Sequence, residues 1–255
     1  MNYFVSKDSV VRRIWGSGDT ILFIFAGSSA EFALNKAVDW LYFTGRLPAA
    51  PLARLFSTVA YARRIVFSEE AAALATIDTM ATIHAGVEAK RGRSIPDWAY
   101  RDVLFMLIDY SIRAFEVLER ELSVEEKTEV FEVFHRVGSR MGVTGLPTTY
   151  QQWQVMREEH LQQDLEKSHY TTDLYRQYKK HLGGVRYLLL VEAQKMVVPD
   201  KIKQLLGLGP LQLLSPVLAV YKLSRKLRMD WLLKAVILPR AYLKEIKDLD
   251  RRPVL

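Results

Sequence analysis

The chain has 255 residues and a mass of 29.4 kDa, and its 49% hydrophobic and 25% charged residues are the proportions of an ordinary globular protein. It has no cysteine, which excludes disulfides, iron–sulfur clusters, thiolate zinc sites, cysteine nucleophiles and thiolate-ligated haem. The net charge of +7 is uneven: residues 201–255 hold twelve Lys/Arg against four Asp/Glu, whereas residues 1–200 hold 24 against 25.

Apolar spacings of three and four recur along the sequence and predict an all-α protein. Helices are expected near 6–15, 19–43, 51–67, 69–90, 97–121, 123–141, 148–167, 171–182, 185–206 and 211–249. The breaks between them fall at Gly16–Gly18, Arg46–Pro51, Arg91–Pro96, Gly142–Pro147 and Gly207–Pro210. Ser28 with Glu31, Ser123 with Glu126 and Thr148 with Gln151 have the spacing of capping boxes. No repeat and no polar linker divides the chain, so one domain over 1–255 is expected.

Residues 204–221 carry no charge, but Gly207, Gly209, Pro210 and Pro216 interrupt them. A membrane span needs roughly twenty apolar residues in continuous helix, so two short helices are expected instead. Beyond them, basic residues from Lys222 to Lys247 alternate with Leu, Val and Trp. That pattern suits peripheral contact with an anionic membrane better than nucleic acid. A solvated helix face is the simpler alternative. No signal-peptide pattern opens the sequence, and a cytoplasmic, membrane-associated location is the expectation.

The usual catalytic signatures are absent: no G-x-S-x-G, no phosphate loop, no G-x-G-x-x-G and no H-E-x-x-H. The five histidines have no paired spacing suited to zinc. Haem needs only one histidine ligand, and His84 is the best placed. It shares a helix face with Leu74, Ile77, Met80, Ala81 and Val87. A core histidine bonded to a carbonyl is the competing reading. His135 reads as structural among Phe131, Phe134 and Val137, and His160, His169 and His181 as solvated. Arg54 and Thr58 lie four apart on the preceding helix among apolar residues, where a bare arginine charge needs an anion, a carbonyl or water.

In order and spacing these features resemble the MpaB and rubber-oxygenase (latex-clearing protein) catalytic domain family, over roughly residues 9–207. The matching stretches begin with Ser9–Gly18, Arg54-x-x-x-Thr58 with Phe67-Ser-Glu-Glu70, and His84-Ala-Gly-Val87. The Pro96–Ser111 helix, Arg120–Glu126 and Arg140–Pro147 come after them. The resemblance implies a globin-like helical core holding haem b, with His84 as the iron ligand and Arg54 and Thr58 as the distal pair. It departs from the rubber oxygenases at Ser57, where they carry lysine. It also departs at Asp102-Val103-Leu104, where many members read Trp-Val-His.

The resemblance implies a haem-dependent oxygenase using dioxygen on a hydrophobic or lipid-like substrate, with C=C oxidation or cleavage among its chemistries. A non-catalytic haem- or lipid-binding protein and a peroxidase-like enzyme are the alternatives. Asp39 and Asp109 stand in apolar stretches as candidate acids or bases, and Tyr61 as a candidate pocket residue.

Overall fold

The computed structural model describes residues 2–45, 51–211 and 213–214, with the side chains of 51–56 excepted. The expected basic helix over 211–249, and its membrane contact, therefore lie almost wholly outside the described residues.

Among these residues the protein is all-α. Ten helices are present: α1 (Val10–Trp15), α2 (Gly18–Phe32), α3 (Asp39–Phe43), α4 (Pro51–Phe67), α5 (Glu70–Arg91), α6 (Asp97–Leu118), α7 (Val124–Arg140), α8 (Tyr150–Gln163), α9 (His169–Val197) and α10 (Asp200–Leu206). Extended pairing is limited to two isolated bridges, Tyr3 with Glu69 and Asn35 with Leu165.

The helix ends obey local chemistry. Ser123 and Glu126 form the expected capping box at the start of α7, each side chain accepting from the other's backbone N–H. At α8 the cap sits one residue later than expected: Thr149 accepts from the Gln152 N–H, while Thr148 binds the Gln152 side chain. Ser28 and Glu31 do not form a cap. Both lie inside α2, where Glu31 is completely buried. The predicted 19–43 helix is two helices, because the Asn35 side chain accepts from the Ala37 N–H and turns the chain. The expected break in the 171–206 stretch is a kink at Gly183 inside α9, at φ 73°, ψ 174°, and the stop comes at Pro199. Only glycine takes that conformation without strain.

The core is built around α6, which packs most extensively on α2 and also meets α7, α8 and α9. Trp15, Tyr110, Ile14, Ile21, Ile24, Met106 and Ile108 are fully buried there. Each such side chain contributes roughly 1.5–3 kcal/mol of transfer free energy. The α2–α6 contact depends on Gly27: a Cβ at that position would stand 2.2 Å from Cδ1 of Tyr110. On the other side of the molecule α4 and α5 pair with each other, and α1 joins α4 to the core. No helix of the described residues is long and apolar enough to cross a membrane.

Candidate functional site

The residues singled out from the sequence fall on the α4–α5 pair. Thr58 is half-buried on α4 and Arg54 stands one turn before it, its side chain outside those described. His84 is half-buried on α5, its ring 5.4 Å from that of Tyr100 at the start of α6. The Tyr100 hydroxyl donates to Glu88 Oε1 at 3.3 Å, and the same oxygen accepts the Ile95 N–H at 2.7 Å. Burial and the Glu88 charge push the Tyr100 phenol up, so it stays a protonated donor. Tyr100 is thereby held against one flank of the imidazole by a residue one turn further along the histidine's own helix.

The burial of α5 changes along its length. Ala73, Thr76 and Ile77 in its first half are buried, whereas Met80, His84 and Val87 are only half-covered. The second half thus presents an apolar strip with one imidazole in the middle. Tyr61 is half-buried on α4.

Of the other expected candidates, Asp39 is held by Arg91 at 2.5 Å and Arg93 at 3.0 Å, with Arg91 also lying over the Trp40 ring. Asp109 is buried, and arginines bind both its oxygens: Arg113 Nε at 2.7 Å and Arg157 at 2.9 and 3.1 Å. His135 is half-buried against Phe131, and His169 and His181 are exposed, as expected.

His160 is the correction. It is 3% exposed rather than solvated, and it lies at the centre of a charged network. Its Nε2 lies 2.7 Å from Glu31 Oε1, and its Nδ1 lies 2.8 Å from Asp102 and 3.4 Å from Asp164. One turn earlier on α8, Arg157 forks onto Glu31 at 2.5 and 2.6 Å and reaches Asp109. Tyr110 donates to Glu31 at 2.7 Å, and Asn35 donates to Asp102 at 3.0 Å. The network joins α2, α6 and α8 through the middle of the core. Its sequence signal was spacing: Asp102 and Asp109 are two turns apart on α6, and Arg157 and His160 nearly one turn apart on α8. A polar context hid it, because five of the seven residues from Arg157 to Gln163 are charged or amide-bearing neighbours of His160 and Leu161.

The partners set the protonation of this network. Burial raises the Glu31 carboxyl, but the charge and hydrogen bonds of Arg157 and His160 overcome it and hold the group at about 2. Burial lowers the His160 imidazole, but its bonds to Asp102 and Glu31 outweigh that and lift it to about 9. Asp102 is raised by burial, opposed by His160 and Asn35. His160 is therefore an imidazolium at neutral pH, with both N–H groups donated to carboxylates.

These shifts fix a pH dependence. His160 is raised in the folded state, so its contribution is complete below its unfolded value near 6.5 and is lost as pH rises through 9. Glu31 is lowered, so its contribution holds above 4.5 and is lost as pH falls towards 2. Thermal melts in a chelating buffer are expected to show a stability plateau between about pH 4.5 and 6.5 from this pair. His160→Gln is expected to remove the alkaline decline. A wild-type melting temperature that stays flat from pH 6.5 to 9 would show a neutral imidazole instead.

One ligand atom from each of Asp102, His160 and Asp164 lies within 4.8 Å of the other two. Among the described residues, this buried trio is a set of side chains with the spacing to hold a metal ion, apart from the lone His84 on α5. Tyr100 and Asp102 are two residues apart on α6 and so face opposite ways, one towards His84 and the other towards His160.

Comparison with curated proteins and with solved structures gives no match. Among protein families, residues 13–231 match the one described as "ER-bound oxygenase mpaB/B'/Rubber oxygenase, catalytic domain". The match spans α2 to α10 entire, with both the α4–α5 pair and the buried network inside it, and on this ground the chain belongs to the MpaB and rubber-oxygenase catalytic domain family.

Proposed function

We propose that the protein is a haem b-dependent oxygenase acting on a hydrophobic substrate, with the chain forming one globin-like domain around the haem. The observation that carries this reading is the half-open apolar strip on α5 with His84 at its centre. Those residues fit the group: a single imidazole is enough to hold a haem iron, and Met80, Ala81 and Val87 would offer apolar contact beside it. Membership of an oxygenase family supports the same reading.

Bound at His84, haem would supply iron for one-electron chemistry with dioxygen. The chain's own residues do the rest. Tyr100, tied to Glu88, packs against one side of the His84 ring. The Thr58 hydroxyl would supply a hydrogen-bond donor from α4, and the Arg54 guanidinium would offset negative charge developing on the oxygen side of the group. The apolar strip excludes water and favours a hydrocarbon-like substrate. Delivery of such a substrate from an anionic membrane surface is the role proposed for the basic segment 211–249.

The test is optical. Purified protein, or protein reconstituted with haem, is expected to show a Soret band at one haem per chain. His84→Ala is expected to lose it while keeping its helical circular dichroism. Wild-type protein that stays colourless after reconstitution overturns the proposal, and so does a full Soret band in the His84 variant.

A further inference from the structure

We propose that Asp102, His160 and Asp164 form a second metal site, separate from His84, for a divalent first-row cation such as Mn²⁺ or Fe²⁺.

The donor set is one imidazole nitrogen and two carboxylate oxygens, a combination that suits these ions. Two of the three distances between its ligand atoms match those of a coordination face, and the third is within 4.8 Å. In an octahedral site with bonds of about 2.1 Å, neighbouring ligand atoms stand about 3 Å apart. Here His160 Nδ1 stands 2.8 Å from Asp102 Oδ1 and 3.4 Å from Asp164 Oδ2. The three residues come from two elements that the fold already fixes: Asp102 from the second turn of α6, His160 from the last turn of α8, and Asp164 from the residue capping α8.

The groups behind the ligands are those that metal sites use to orient them. A metal-bound histidine characteristically gives its other N–H to a carboxylate, and Glu31 takes His160 Nε2 at 2.7 Å. The second oxygen of Asp102 is held by Asn35 at 3.0 Å. Glu31 is in turn fixed by the Arg157 fork. The imidazole can therefore turn no other nitrogen towards the carboxylate pair.

Binding of the ion at Nδ1 would release to solvent the proton that His160 shares with Asp102. Solvent reaches the site through Asp164, whose side chain is 28% exposed while the other two ligands are nearly inaccessible.

The inference does not rest on haem, and Mn²⁺ is the probe that keeps the two apart, since it leaves the Soret region untouched. Chelator-treated wild-type protein is titrated with Mn²⁺, and the free six-line electron paramagnetic resonance signal is tracked. The expected result is uptake of one equivalent, a raised melting temperature, and nitrogen hyperfine coupling from a single imidazole. Asp164→Asn, a change at the solvent-facing ligand, is expected to weaken uptake by about tenfold or more, on the order of losing a metal-site contact. No uptake overturns the proposal. Equal uptake by Asp164→Asn also does, because the ion then sits elsewhere. Should that variant fail to fold, the nitrogen coupling in wild-type protein decides: its absence places Mn²⁺ on surface carboxylates.

Discussion

Arg157→Ala is expected to remove about 3–5 kcal/mol of folding stability, the cost of leaving a buried charge without its partner. Arg157 is 4% exposed and holds Glu31, at 0%, and Asp109, at 7%. Removing the guanidinium takes the arginine charge from both buried carboxylates, leaving His160 and the Tyr110 hydroxyl on Glu31 and Arg113 on Asp109. Total stability of a domain is about 5–15 kcal/mol, so this one side chain commands a large share. Arg157→Lys is expected to recover part of the loss, because an ammonium restores charge but not the two-pronged contact with Glu31. Urea melts monitored by circular dichroism measure both. A loss below about 1 kcal/mol, the range of exposed ion pairs, would mean that water reaches Glu31 and Asp109 in the folded protein.

The second large effect is at Arg54 and bears on the proposed oxygenase reaction. Arg54→Ala is expected to keep the Soret band and to lower dioxygen uptake about a hundred- to thousandfold, the usual effect of losing one donor aimed at developing charge. Uptake is measured with an oxygen electrode, using an unsaturated fatty acid and an unsaturated hydrocarbon as probes. Thr58→Val, which keeps shape and removes only the hydroxyl, is expected to act in the same direction with haem retained. Full uptake in Arg54→Ala would assign the arginine to the surface of α4.

The two variants act on different parts of the molecule. Arg157 ties α8 to α2 and α6 in the core, whereas Arg54 and Thr58 stand on the α4–α5 pair. A stability loss without loss of haem is therefore expected from the first, and an activity loss without a stability loss from the second. The sharing of α6 makes the separation clear: Asp102 and Asp109 serve the network, while Tyr100 serves His84.

Much of this protein is local in origin, and that part was legible in the sequence. Helix α4 begins and ends where its spacing predicts, at 51 and 67, because apolar periodicity and a starting proline are properties of neighbouring residues. The Ser123–Glu126 box is another case, since both its hydrogen bonds close within four residues. The family, too, could be read from short motifs in order, and the apolar face of α5 on which His84 lies is visible from residues three and four away.

Only the tertiary structure decided the pairing of charges over distance. Glu31 with Arg157 spans 126 residues, and His160 with Asp102 joins α8 to α6. The window around His160, a histidine among Arg, Glu and Gln, reads as a solvated face, and Glu31 has the spacing of a capping box. Burial of such groups is favourable only when several opposite charges arrive together, and that arrival is a property of how α2, α6 and α8 cross. Gly27 shows the same dependence, since its value lies in admitting the Tyr110 ring from a helix 83 residues further on. Local pattern determines which segments are helices; the packing of three of them determines that a histidine read as solvent-exposed is an imidazolium in the core.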